Sequence, residues 1–131
     1  MSETFEASQA GVHLQAVVER QNQDVLIQLI GGDVAHYGVV TTVSPTTEPQ
    51  TIALPSRPGH HHQEGVLTER MAKQLKPILQ SNAIIVSGVH VNYIKPEQMR
   101  AMGPLVAELS EKIGQWLTAH PREKVVEHFS K

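Results

Sequence analysis

The chain has 131 residues and no cysteine, and its 11 Lys and Arg against 13 Asp and Glu give a formal charge of −2 at pH 7. This length suits a single domain over residues 1–131, with 1–10 and 121–131 predicted to be peripheral. The charge balance and the 4% aromatic content argue against nucleic-acid binding. Without cysteine there are no disulfides or thiolate metal sites. We expect a cytoplasmic protein with no signal peptide and no membrane association.

Alternating apolar residues predict strands in the first half of the chain. Over residues 12–18 every second residue is apolar, as in a half-buried strand. Four further strands are predicted over residues 25–30, 37–43, 51–54 and 83–91. The segment 44–50 contains two prolines and is predicted to be a loop, which leaves 51–54 as a short edge strand. The run Ile84-Ile85-Val86 is typical of a strand that is buried on both faces.

Helical periodicity begins at Val66 and again after Lys95. The predicted apolar stripes are Val66, Met71, Leu75, Ile78 and Leu79 in the first helix, and Met99, Met102, Val106, Leu109, Ile113 and Trp116 in the second. Pro77 is expected to fray the end of the first helix, and Gly103-Pro104 to kink or divide the second. A short terminal helix is predicted within 122–129.

The order of these elements, βββ(β)αβα, predicts an α+β fold. We expect a two-layer sandwich in which two main helices cover one face of a mostly antiparallel sheet of four to five strands. The last strand follows a helix, so it is able to pair in parallel with a neighbour. The second face of such a sheet has no cover from its own helices, which is compatible with a homo-oligomer.

Histidines are the residues most suggestive of a site. The chain has eight, and His60, His61 and His62 are consecutive. Imidazole is a metal ligand, a general base near neutral pH and, when protonated, a partner for phosphate. His36 follows a Gly-Gly-Asp turn and His90 ends the last strand, so both are predicted at strand ends, where ligands often bind. A solvated loop is the alternative interpretation of the triplet.

An anion pocket is predicted beside these histidines. Arg57 and Gly59 precede a helix that begins near residue 65, and free backbone amides at a helix start attract anions. No Walker or dinucleotide-binding glycine pattern supports this, and the alternative interpretation of Arg57 is a surface arginine. Tyr37 offers a ring for stacking, and Asn92 offers neutral hydrogen bonds.

Two enzymatic interpretations are alternatives to this binding site. Histidines together with Glu64 suggest a metal-dependent enzyme, but the HExxH spacing of metal hydrolases is absent. Ser87 lies in VSGVH, which is not the GxSxG turn of a serine nucleophile. A divalent metal is thus possible but not favoured, and a histidine-metal enzyme of unknown substrate remains the alternative function.

Three segments, GGDVAHYGVV, PGHHHQEGVLTERMAKQL and VSGVHVNYIKPEQM, resemble the small prenylated-flavin chaperone (LpdD-like) family. The resemblance covers about residues 12–115. Members of this family are accessory proteins of reversible UbiD-type aromatic-acid decarboxylases such as gallate decarboxylase. This chain departs from the family pattern at HHHQE, where the family has one histidine followed by charged residues. Which histidine of the triplet faces a site is therefore left open.

The resemblance implies a role in cofactor handling rather than catalysis, and no catalytic residue is assigned. The implied ligand is prenylated flavin mononucleotide or flavin mononucleotide, which the protein would help to deliver to the decarboxylase or to mature there. The implied partners are a UbiD-type decarboxylase and a flavin prenyltransferase. The predicted cofactor-binding residues are His36, Tyr37, Arg57, Gly59, His60, His61, His62, His90 and Asn92.

Overall fold

The structure, a computed structural model, describes residues 1–55 and 65–130. These residues form six strands, two α-helices and one short 3₁₀ helix. The strands are β1 (Ser2–Gln9), β2 (Val12–Gln21), β3 (Asp24–Gly32), β4 (Val39–Ser44), β5 (Thr47–Ala53) and β6 (Ala83–His90). The helices are α1 (Gly65–Leu75), the 3₁₀ turn Lys76–Ile78 and α2 (Pro96–Ala119). The predicted α+β class is confirmed. Of the six strands, β1 was not predicted at all and β5 was predicted only in part.

The described strands form one sheet in the order β1-β2-β3-β6-β4-β5. Every neighbouring pair is antiparallel except β3 and β6, which are parallel. This confirms the predicted parallel pairing of the last strand. Its consequence is that β3 and β6 end side by side, with Gly32 opposite His90.

Both α1 and α2 pack on the same side of the sheet, which we call the helical face. The helix α1 contacts β4, β5 and β6, while α2 contacts β1 and β2, and the two helices contact each other. Between these layers lies a core that includes Leu14, Ile27, Leu29, Met71, Leu75, Ile85, Leu105, Leu109 and Ile113, each almost completely buried. The other side of the sheet is called the open face, and it carries Val17, Leu26, Ile30, Val40, Ile84 and Val86.

Two edge strands differ from the sequence predictions. The strand β1 was not predicted, because its sequence is polar apart from Phe5 and Ala7, which face the core. The predicted loop over 44–50 is wrong in its second half, since β5 already begins at Thr47. Pro49 is accommodated because β5 is at the sheet edge, where one side of the strand needs no backbone donor.

The helices also depart from the predictions in part. Pro104 lies inside a single continuous α2, so a division into two helices is wrong; Pro104 is exposed, and water can bond the carbonyl that its ring leaves unpaired. Pro77 lies in the 3₁₀ turn after α1, which confirms the frayed end. Residues 122–129 form no helix. Val66, Ile78 and Met99 are exposed rather than part of the buried stripes. In the described ranges, no helix combines the length and apolar character needed to cross a bilayer.

The run Ile84-Ile85-Val86 in β6 is buried on one face only. Ile85 is fully buried, whereas its neighbour Ile84 on the open face is 42% exposed. For the described residues 1–55 and 65–130, the prediction that this run is buried on both faces is therefore wrong, because α1 and α2 cover the helical face alone.

Candidate functional site

The ends of β3 and β6 are locked together by a close backbone contact. Gly32 has a φ of +79°, and a Cβ atom there would overlap the carbonyl oxygen of His90. The next residue, Asp33, donates its backbone N–H to that same oxygen at 2.6 Å. A glycine is needed at position 32 because only glycine adopts this φ without strain and leaves room for the neighbouring strand. The turn after β3 is thereby held against the last residue of β6.

The loop 33–38 then folds back over β6. At Gly88 a Cβ atom would overlap the carbonyl oxygen of His36 and lie 3.1 Å from its Cγ. The backbone N–H of Gly38 donates to the Ser87 carbonyl at 2.7 Å, which fixes the other end of the loop. Gly88 and His90 share one face of β6 and are about 6.6 Å apart along the strand. The structure thus brings His36 and His90 to the same face of the sheet, at the edge formed by the ends of the central strands β3 and β6.

Hydrogen bonds fix the polar groups at this edge. The Asp33 carboxylate accepts the backbone N–H of Asn92 at 2.8 Å, and His90 Nε2 lies 3.0 Å from Asn92 Oδ1. An amide oxygen only accepts, so this contact requires a proton on Nε2 and leaves the Nδ1 lone pair as an acceptor in the neutral ring. His36 Nδ1 lies 3.1 Å from the Val34 carbonyl, which likewise places a proton on Nδ1.

An apolar flank lies next to these polar groups. The Tyr37 hydroxyl donates to Gln28 Oε1 on the open face at 2.6 Å, and its ring remains half exposed. Val34, in the same loop, is also partly exposed. Tyr93 is fully exposed in the turn between β6 and α2, at a φ of +52°. Of the two tyrosine rings near the site, the structure therefore fixes only that of Tyr37 against the sheet.

Five of the predicted site residues lie outside the described residues: Arg57, Gly59, His60, His61 and His62. The last residues described before them follow β5, and the backbone N–H of Leu54 donates to the carbonyl of Gly38 at 2.8 Å. Leu54 is thus next to the loop that carries His36. The anion pocket and the role of the triplet stay predictions.

The enzymatic alternatives gain no support from the described residues. Among them, no group of three or more His, Asp or Glu side chains is arranged to hold a metal ion. Ser87 is completely buried on the helical face, and within residues 1–55 and 65–130 its hydroxyl finds no hydrogen-bond partner. A substrate at the His36 and His90 edge would be on the opposite side of the sheet from this hydroxyl.

Sequence reasoning missed two residues that build this site. The sequence places Asp33 in a turn and in the motif GGDVAHYGVV but assigns it no role, whereas its carboxylate joins the loop after β3 to the one after β6. The sequence places Gly88 in the motif VSGVHVNYIKPEQM but assigns it no role, whereas its missing side chain makes room for His36. The signal that could have found both residues is their distance from a motif histidine. Asp33 lies three residues before His36, and Gly88 lies two residues before His90.

Comparison with known proteins decides the family. A family model described as the prenylated flavin chaperone LpdD-like domain matches residues 8–118. This chain belongs to the LpdD-like family. Protein LpdD of Lactiplantibacillus plantarum (strain ATCC BAA-793 / NCIMB 8826 / WCFS1) is 40% identical to this LpdD-like chain over 118 residues, which are 90% of the chain and 87% of that protein. The resemblance inferred from the three motifs is confirmed.

The fold of this LpdD-like chain was also compared with solved structures. One chain from the crystal structure of a novel chaperone complex for yeast 20S proteasome assembly aligns over 84% of this chain and 98% of that chain. The TM-score is 0.49 and the sequence identity is 10%. At these values the likeness carries no argument about function.

Proposed function

We propose that this protein binds prenylated flavin mononucleotide at the edge where β3 and β6 end, and assists its delivery to, or maturation in, a UbiD-type aromatic-acid decarboxylase. The observation that carries the proposal is the placement of His36 directly over Gly88, on the same strand face as His90, in a chain whose family model is that of prenylated flavin chaperones. The protein acts as a carrier, and no catalytic residue is assigned.

The polar groups suit the edge of a flavin ring. A flavin presents ring carbonyl oxygens, ring nitrogens and an imide N–H, so it needs both donors and acceptors from its host. His36, His90 and Asn92 offer such groups without a fixed charge when the imidazoles are neutral. Hydrogen bonds from these neutral side chains hold the ring reversibly. A carrier requires reversible binding because it must release its cofactor.

The apolar flank suits the body of the ring. Tyr37 and Val34 are both partly exposed beside His36 and provide a surface against which a planar, largely apolar ring system packs. The phosphate would need cationic or backbone N–H donors, and for these we propose Arg57 and Gly59 with the triplet His60, His61 and His62.

The proposed function is tested by co-expressing a UbiD-type decarboxylase, with gallate as its substrate, and a flavin prenyltransferase with or without this chain. Decarboxylase activity and the prenylated flavin content of the purified decarboxylase are measured. We expect both to rise several-fold when the chain is present. Equal cofactor content and activity without the chain would refute the proposal.

A matched pair of histidine variants ties that result to the site. His90→Ala removes the ring that bonds Asn92, whereas His128→Ala removes an exposed histidine from the C-terminal segment. We expect His128→Ala to support the decarboxylase as the native chain does, and His90→Ala to lose most of the effect. Equal support from the two variants would contradict a role for this edge of the sheet.

A further inference from the structure

We propose that the open face of the sheet is the interface of a homodimer, in which Leu26 of each copy packs against Ile84 of the other. This inference is independent of the cofactor, because it rests on the side chains that cover the middle of the sheet. The loop 33–38 lies over the end of the open face next to the site, and its Tyr37 hydroxyl reaches Gln28. The proposed contact is therefore centred beyond the loop, on Leu26 and Ile84.

The open face carries an apolar centre that α1 and α2 do not cover. Strand register places its side chains in two rows across the sheet: Thr4, Val17, Gln28, Val86, Val40 and Ile52, and next to it Ser2, Glu19, Leu26, Ile84, Thr42 and Gln50. Leu26 is 38% exposed, Ile84 42% and Ile52 67%. Apolar side chains surrounded by a polar rim are typical of a protein interface.

The order of these side chains is self-complementary. The two-fold axis runs parallel to the strands, midway between the two facing sheets and above the gap between β3 and β6. It places β3 over β6 of the second copy, β2 over β4 and β1 over β5. In the second row Leu26 then meets Ile84, and in the first row Val17 meets Val40. The most exposed apolar residues of the two central strands thereby cover each other.

Charge is compatible with the same arrangement. Glu19 is the one Asp, Glu, Lys or Arg in the two rows, and the axis places it opposite Thr42 rather than opposite another carboxylate. Like charges therefore do not oppose each other across this contact.

The area is sufficient for a dimer. Six strands spaced about 4.8 Å apart make a face about 29 Å wide, and the two rows with their margins extend about 20 Å along the strands. Two such faces bury about 1,200 Å² in total, the lower end of the range for stable interfaces. Aligned packing of two sheets at about −30° is a common arrangement. A second copy of this chain fits the face without a further element.

The first test is the mass of the native full chain in solution. Sedimentation velocity and light scattering at about 1 to 100 μM are expected to give a dimer, twice the 14.4 kDa of one chain. Leu26→Glu and Ile84→Lys each bury a charge at the centre of the contact, so each is expected to weaken dimerisation about 100-fold. Gln115→Glu, an exposed change on α2, is the control and leaves the dimer intact.

A mixing experiment separates loss of the interface from loss of folding. Combining Leu26→Glu with Ile84→Lys allows a heterodimer with one Glu–Lys pair and one native Leu26–Ile84 contact, so mixing is expected to restore dimers at least tenfold over either variant alone. A monomeric native chain overturns the proposal. So does a dimer that Leu26→Glu leaves intact, or a failure of the mixed variants to associate. A monomer whose open-face variants lose binding to the decarboxylase would assign this face to that partner instead.

Discussion

The Asp33 carboxylate accepts a hydrogen bond from the backbone N–H of Asn92 at 2.8 Å, and this bond joins the loops that follow β3 and β6. Asn92 in turn lies 3.0 Å from the ring of His90. The position of the His90 side chain therefore depends on a carboxylate from another strand. Asp33, which follows the Gly-Gly turn, therefore has a structural role in the site whether or not it contacts the cofactor.

Replacing Asp33 tests this role. Asp33→Ala removes the acceptor and is expected to weaken flavin mononucleotide binding about three- to tenfold, the effect of about one hydrogen bond. Asp33→Asn keeps an oxygen that accepts the Asn92 N–H and is expected to retain near-native affinity. Titration followed by flavin fluorescence measures both. Comparable weakening by the two variants would mean that the charge of Asp33, rather than its bond to Asn92, is required.

Removing the imidazole of His90 tests direct contact with the ligand. His90→Ala is expected to raise the dissociation constant for flavin mononucleotide about tenfold, because one donor or acceptor to the ring is lost. Since His90 is exposed, the free energy of unfolding should change by less than about 0.5 kcal/mol. Calorimetric titration and urea unfolding measure the two quantities. Unchanged binding would remove His90 from the site.

A pair of glycine variants tests the close approach of the loop to β6. The Cβ of Gly88→Ala would overlap the backbone of His36, which cannot move alone, so the variant is expected to lose about 1–3 kcal/mol of unfolding free energy and most of its flavin affinity. Gly103→Ala, inside α2, meets only the flexible end of Arg70 and should gain up to about 1 kcal/mol. Urea unfolding compares them. Equal stability of the Gly88→Ala protein and the native chain would show that the loop is not held on β6.

Arg20 is a buried cation at the opposite edge of the sheet. It is 4% exposed; its Nη2 donates to Gln80 Oε1, while Nη1 finds no partner among the described residues. Burial, with a smaller contribution from the positive charge of Arg122, lowers the pKa of Arg20. Because its pKa is lower in the folded than in the unfolded chain, the charged form opposes folding at neutral pH.

Arg20→Met is therefore expected to leave the unfolding free energy within about 1 kcal/mol of native or to raise it, since a side chain of similar length replaces a buried cation that has no carboxylate partner among the described residues. Gln80→Ala removes the acceptor shared by Arg20 and the backbone N–H of Arg122, and is expected to lose about 2–3 kcal/mol. Urea unfolding at pH 7 measures both. A loss above about 2 kcal/mol in Arg20→Met would show that the hydrogen bonds of the guanidinium to Gln80 and to the Asn22 carbonyl outweigh the cost of burying its charge.

The sequence predicted the elements whose pattern is unambiguous. Alternation over residues 12–18 indicated β2, and the helical period indicated α1 and α2. The strand β1 escaped because an edge strand needs only two inward apolar residues, Phe5 and Ala7. Pro49 suggested a loop because its exclusion from strands holds for central positions and not for an edge.

The same limits apply to the site. The two motif histidines were predicted at strand ends, and the parallel pairing of β3 with β6 puts them at one edge. Asp33 and Gly88 were missed because their roles depend on contacts between segments distant in sequence. The run Ile84-Ile85-Val86 indicated burial on both faces, and the homodimer proposed above would supply the second cover.

The most direct test of the account is the cofactor content of the chain itself. The untagged protein is co-expressed with a flavin prenyltransferase, purified anaerobically, and examined by absorption spectroscopy and by mass spectrometry of the released ligand. We predict that the native chain carries prenylated flavin mononucleotide at close to one per chain and that Gly88→Ala carries little. A native chain that is folded, free of flavin and unable to bind flavin mononucleotide on titration would contradict the account, and stoichiometric transition metal in its place would favour the metal-dependent alternative.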